Sequence, residues 1–196
     1  MKRLLAILFL AIVLYVAYWF FFKNDKHTSE PKPQALKVQK HSNEFNQSIS
    51  NAIFNYLNLK DALADADTNK IKNETQKFVT VVDSLKLDEL KKGNDSSIFL
   101  TAKQQLGDIK VNAQDIVLQT DLTEMKEDFR MVSENVYPFL KTIAYEGGKL
   151  YWITCASAFG EDKEGSWLNN SADILNPYFS PTHVQEKTCG EIKDSL

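Results

Sequence analysis

Two cysteines carry the most distinctive chemistry in this chain. Cys155 and Cys189 lie in a C-terminal stretch, Tyr151–Ile192, that also holds two of the three tryptophans. Such a pair can be oxidised to a disulfide, bind a metal ion or supply a thiol nucleophile. Residues 150–155 and 188–193 are β-prone, and their antiparallel pairing would bring the two cysteines together. Because an exported chain usually oxidises such a pair, we expect a disulfide, with a metal site and a thiol enzyme as alternatives.

Other residues of the same stretch are expected to hold it in place. Asn176, Pro177 and Tyr178 form a turn signal, and Trp167 is expected to close one end of the helices. These four residues are therefore the predicted structural cap. The sequence has no nucleophile, phosphate-binding or metalloprotease motif, so we expect neither an enzyme nor a cofactor.

The first 22 residues predict an anchor that crosses a membrane. Leu4 to Phe22 contains no charged residue over 19 positions, which as a helix is about 28 Å long and close to the thickness of the hydrocarbon core. The run ends in aromatic residues instead of a small-residue cleavage site, which favours an uncleaved signal-anchor. Lys2 and Arg3 precede it and favour an N-terminus on the cytoplasmic side. Residues 23–34 are polar and include two prolines, which is typical of an extended tether.

The remainder of the chain, residues 35–196, predicts one helical domain. Apolar residues recur at spacings of three and four, the period of a helix, in four stretches at about 35–64, 68–85, 97–119 and 122–145. Asp67 or Thr68 is the predicted N-cap of the second helix, and Asp121 with Glu124 three residues later resembles a capping box at the start of the fourth. Gly147 with Gly148 is predicted to end the last helix. The short connections favour an antiparallel four-helix bundle. Residues 149–196 would then form a small C-terminal cap built on a β-hairpin.

Composition agrees with a mostly all-α domain. Of the 196 residues, 43% are hydrophobic and 25% are charged, as in an average globular protein. Only 7 glycines and 5 prolines occur, and few helix breakers favour long helices. The net charge of −3 argues against a nucleic-acid partner, because a nucleic-acid-binding domain usually presents a basic face.

Short segments in the helices and in the C-terminal cap, residues 149–196 (the tail), match the pattern of a known family. Residues 56–63 read YLNLKDAL, and Phe129 is followed four positions later by Ser133. The tail contributes three segments: residues 165–168 (GSWL), 174–179 (ILNPYF) and 189–192 (CGEI). Together they resemble the bacterial family catalogued as domain of unknown function 3347, over about Phe45 to Ile192.

The resemblance implies a location and a link to metals. Members of the family look like periplasmic proteins, and some resemble adaptor subunits of heavy-metal efflux systems. Together with the predicted anchor, the resemblance implies a single-pass inner-membrane protein with its C-terminal domain in the periplasm. It also implies a binding or accessory role for that domain, with a protein partner in an efflux or envelope complex.

The family's cysteines and methionines would form a soft ligand set suited to Cu(I). In this chain both methionines are missing, because Cys155 is followed by Ala156-Ser157 and no methionine precedes Cys189 in residues 182–188. A metal site of copper type would have to use Cys155, Cys189 and His183. It is the alternative to a chain that binds no metal.

Overall fold

The structure is a computed structural model in which the described residues are Tyr15, 41–92, 96–179 and 187–196. Three predictions fall outside them: the anchor Leu4–Phe22 apart from Tyr15, the tether 23–34, and His183 as a metal ligand. The chain divides into two compact units, Met1–Lys37 and Val38–Leu196, and the elements below belong to the second. Among the described helices, none combines the length and the apolar character needed to span a bilayer.

Four α-helices dominate the second unit, as the hydrophobic periodicity predicts. They are α1 (Asn43–Ala64), α2 (Thr68–Ser84), α3 (Ser97–Leu118) and α4 (Leu122–Thr142), with a 3-10 helix at Asp88–Lys92 between α2 and α3. Each helix packs against the next one in the chain, which gives a bundle-like arrangement. The predicted stripes are buried: on α2, for example, Ile71, Phe78 and Val82 are at most 2% exposed.

Of the two candidates for the N-cap of α2 the structure selects Asp67, and Asp121 is confirmed as the N-cap of α4. The carboxylate of Asp67 accepts hydrogen bonds from the backbone N–H groups of Asn69 and Lys70, both at 3.0 Å. The carboxylate of Asp121 accepts in the same way from Thr123 at 2.8 Å and from Glu124 at 3.2 Å. An N-terminal turn leaves such N–H groups without helical partners, so these side chains define where each helix begins.

Two helix ends differ from the prediction. α1 begins at Asn43, because the Ser42 hydroxyl caps it by accepting from the Phe45 N–H at 3.2 Å. α4 ends at Thr142, before the two glycines, because Ala144 adopts a left-handed conformation with φ 49°. The N–H of Tyr145 then bonds to Leu140 O at 3.0 Å and that of Ala144 to Lys141 O at 3.1 Å. This is the Schellman pattern, in which alanine takes the place that glycine usually holds.

A three-stranded antiparallel sheet follows the helices. Its strands are β1 (Tyr151–Cys155), β2 (Gly165–Asn169) and β3 (Glu191–Ser195), in the order β2-β1-β3. The pairing of β1 with β3 was predicted, but the predicted two-stranded hairpin lacked β2, which was not recognised as a strand. All five residues of β2 are buried, so the strand lacks the alternation of polar and apolar residues that marks a half-buried strand.

Candidate functional site

The disulfide predicted between the two cysteines is present. Cys155 ends β1 and Cys189 precedes β3, and their sulfur atoms are 2.02 Å apart with a Cα–Cα distance of 5.4 Å. The antiparallel register of β1 and β3 brings the two segments together. Cys155 is 1% exposed, so its end of the bond is buried. Both sulfur atoms are engaged, and neither is a free thiolate in this state.

Aromatic side chains pack tightly beside the disulfide. Trp167 on β2 is fully buried, and its ring meets that of Tyr178 edge-on, with centroids 5.9 Å apart. Two glycines lie so close to these rings that no larger residue would fit without a shift of its neighbours. A Cβ at Gly165 would lie 2.7 Å from the Tyr178 ring, and one at Gly190 would lie 2.9 Å from the Trp167 ring. The short motifs around Trp167, Tyr178 and Cys189 therefore meet in one packed cluster.

A chain of hydrogen bonds runs from this cluster into the helices. The N–H of Leu168 on β2 donates to the Tyr56 hydroxyl on α1 at 3.1 Å. The Tyr56 hydroxyl is 2.7 Å from the hydroxyl of Ser133 on α4, which donates in turn to Phe129 O at 3.0 Å. Burial raises the pKa of Tyr56 above the usual range, so the hydroxyl stays neutral and can both accept and donate. These hydrogen bonds therefore join the sheet to two helices, α1 and α4.

Two buried lysines make further links between the helices and the tail. Lys60 on α1 is 4% exposed and donates to the side-chain oxygen of Asn169 at 2.9 Å, and it also pairs with Asp61 at 2.8 Å. Lys126 on α4 is equally buried and donates to Phe179 O. Burial lowers the pKa of Lys126, because the apolar surroundings disfavour its charged form. Each lysine thus links one point of the C-terminal segment, Asn169 or Phe179, to a helix.

The predicted cap residues lie in this junction. Trp167, Asn176, Pro177 and Tyr178 are all buried. The side-chain oxygen of Asn176 accepts from the Tyr178 N–H at 2.8 Å, and the Tyr178 hydroxyl donates to Ser166 O at 2.6 Å on β2. Burial holds the pKa of Tyr178 well above its usual value. These residues order the turn and seal it against β2.

A second polar cluster, not predicted from the sequence, lies where the described domain begins. The ring of His41 lies between Ile143 O, 2.5 Å from Nε2, and the Glu89 carboxylate, 3.4 Å from Nδ1. The Ser42 N–H donates to the Glu89 carboxylate at 2.7 Å, and the Ser42 hydroxyl donates to the same carboxylate. These two hydrogen bonds lower the pKa of Glu89, and the bond from the hydroxyl has the larger effect. Ser42 ahead of an apolar stripe is an N-cap signal that could have located this cluster.

The arrangement is suited to holding the fold together. The polar atoms at the junction bond mainly to one another inside the protein, and in the described part of the chain no group of three or more His, Cys, Asp or Glu side chains could hold a metal ion. Of the three residues of the alternative metal site, Cys155 and Cys189 are brought together in the disulfide. The third, His183, lies outside the described residues.

A family profile matches the helical part of the chain. The profile of a family described as "Protein of unknown function (DUF3347)" matches residues 52–146, from within α1 to just beyond α4. The three tail segments that resemble the family lie outside this match. Neither the curated proteins nor the solved structures give a significant match.

Proposed function

This chain belongs, through residues 52–146, to the family of proteins of unknown function 3347, and we propose that it is a membrane-anchored accessory module of the bacterial envelope. In this proposal residues 1–22 cross the inner membrane once, and the helical domain lies in the periplasm. The domain binds another protein of an efflux or envelope complex and catalyses no reaction.

The Cys155–Cys189 disulfide is the observation that carries the proposal. Disulfides form and persist in oxidising compartments such as the periplasm and are rare in the cytosol. The disulfide bridges residues separated by 34 positions, and both cysteines are held in place by the pairing of β1 with β3. A periplasmic location would keep this bond oxidised and the tail attached to the helices.

The link to metals in this proposal rests on the family resemblance. Adaptor subunits of heavy-metal efflux systems resemble some members of the family, so the partner would belong to a copper-type efflux or homeostasis system. In the alternative, the chain itself binds copper through Cys155, Cys189 and His183. That site needs both cysteines as thiolates, because the thiolate is the metal ligand, and the disulfide therefore competes with it.

The topology of the full-length chain tests the location. Fusions of its C-terminus to alkaline phosphatase, active only after export, and to a green fluorescent protein that matures in the cytoplasm should give phosphatase activity without fluorescence. The matched control lacks residues 1–22 and should reverse both signals. A fluorescent full-length fusion with free thiols would refute the periplasmic location.

Intact mass and copper binding separate the two functions. Full-length protein purified without reductant should carry no reactive thiol and should retain no Cu(I) after desalting. Tight copper binding that appears on reduction and is lost in His183→Ala would favour the metal-binding alternative over the accessory role.

A further inference from the structure

The outer face of α3 carries an uncharged stripe with the spacing of a coiled-coil seam. Six exposed positions follow one another at intervals of four and three residues: Leu100, Gln104, Gly107, Val111, Gln114 and Leu118. Leu100 is 60% exposed, Val111 57% and Leu118 75%. Single exposed leucines are common, but this alternation of four and three is the a/d repeat of helices that pair. The opposite face of α3 enters the core through Ala102, Ile109 and Ile116.

Charges lie only on the two flanks of this stripe, and they have opposite signs. Lys103 and Lys110 precede the a positions Gln104 and Val111, and therefore occupy g positions. Asp108 and Asp115 follow the d positions Gly107 and Gln114, and therefore occupy e positions. Residues five apart lie on different sides of a helix, so Lys103 and Asp108 of one chain do not face each other.

We propose that the outer face of α3 is a docking surface for a second copy of this chain, with the two α3 helices parallel. In a parallel pair, each g residue faces the e residue five positions later on the partner helix. Lys103 then faces Asp108 of the second copy, and Lys110 faces Asp115. Two-fold symmetry produces each contact twice. An antiparallel pair would instead place lysines beside lysines and aspartates beside aspartates.

Two details bear on the strength of the contact. Gly107 lies in the middle of the stripe, and a Cβ there would meet nothing within 4 Å in the chain's own fold, so a second helix can approach closely. Lys110 pairs with Asp83 of its own chain, so Lys103 and Asp108 are the cleaner pair to test. A seam of about three heptads with two glutamines is short and polar, and the dimer is therefore weak and reversible.

Site-specific cross-linking of the full-length protein tests the geometry. Gln114→Cys places a thiol at a d position, which meets its own counterpart in a parallel pair, and oxidation should give a covalent dimer. The matched control Gln47→Cys, at an exposed position of α1, should stay monomeric. In an antiparallel pair centred on the seam, Gln114 would lie beside Gln104 of the partner, about 15 Å along the axis from its own counterpart. Association without this cross-link would overturn the proposal.

Charge exchange tests the pairing independently. Lys103→Asp should weaken self-association about tenfold, because two attractive contacts become two repulsive ones. Asp108→Lys should do the same, and the double exchange should return the dissociation constant to that of the unmodified chain. A chain that remains monomeric in concentrated solution, or a double exchange that fails to restore the dimer, would overturn the proposal.

Discussion

Replacement of Tyr56 by phenylalanine probes the contact on which attachment of the sheet to the helices depends. The Tyr56 side chain is 0% exposed. Its hydroxyl accepts from the Leu168 N–H at 3.1 Å and lies 2.7 Å from the Ser133 hydroxyl. Because the Ser133 hydroxyl donates to Phe129 O, Tyr56 is the donor to Ser133. One oxygen thus satisfies a backbone donor on β2 and a side chain on α4.

The magnitude follows from what the substitution leaves behind. The N–H of Leu168 would stay buried without a partner, which costs about 1–3 kcal/mol, and the lost hydrogen bond to Ser133 contributes about 1 kcal/mol. Phenylalanine keeps the ring, so the stacking on Phe129, with centroids 5.3 Å apart, is retained. We therefore expect Tyr56→Phe to lower the free energy of unfolding by about 2–4 kcal/mol.

Urea denaturation measures this loss, which should appear as a lower midpoint with an unchanged slope. Tyr137→Phe is the matched control. The Tyr137 hydroxyl donates to Asp194 at a partly exposed site, so removal of this hydroxyl should lower the free energy of unfolding by less than about 1 kcal/mol. Hydrogen exchange of the Leu168 amide should accelerate in Tyr56→Phe more than in the control. A loss below about 0.5 kcal/mol, with the Leu168 amide still protected, would show that the hydrogen-bond chain contributes little.

Three further predictions concern other parts of the fold. Replacing both Cys155 and Cys189 by serine should lower the free energy of unfolding by about 4 kcal/mol in the chain-entropy account, given the separation of 34 residues. Urea denaturation measures this loss against the oxidised protein, and the unmodified protein should lose a similar amount when its disulfide is reduced. Ala144→Gly should raise the melting temperature, because the left-handed φ of 49° costs alanine about 1 kcal/mol that glycine avoids, whereas Ala113→Gly inside α3 should lower it. The pKa of Glu89 is lowered in the folded state. The ionised carboxylate therefore stabilises the fold at any pH above its unfolded-state pKa of about 4.3, and this stabilisation is lost as the pH falls through the folded-state pKa. Glu89→Gln should therefore give a flatter fall in stability below that pH, and an unchanged slope would contradict the argument.

The helices could be predicted because their cause is local. The stripe of α2 and the cap at Asp67 lie within a few residues of each other, and an amphipathic face with a defined start is sufficient to identify a helix. The end of α4 was missed for a local reason as well. Glycine is the usual left-handed residue, so the pair at Gly147 was a stronger signal than Ala144, which adopts that conformation in its place.

The sheet was harder to predict because its cause is not local. Residues 165–169 form a strand only because β1 supplies hydrogen bonds on one side and the helices cover its side chains. A short, fully buried run between loops gives no periodicity by which a strand can be recognised. Only the pairing of β1 with β3 could be inferred, because both segments are β-prone and their antiparallel pairing brings the two cysteines together.

The polar residues at the junction could not be recognised from the sequence, because their partners lie far away along the chain. Tyr56 lies on the predicted apolar stripe of α1, and the sequence does not reveal that its hydroxyl meets Ser133, 77 positions away, and Leu168, 112 positions away. Lys60 looks like a surface charge but is buried against Asn169. Because a buried polar group is costly unless it is paired, each of these residues favours one way of attaching the sheet to the helices. The docking proposed for a second copy would use the outside of the bundle, where the uncharged stripe of α3 lies exposed between charges of opposite sign.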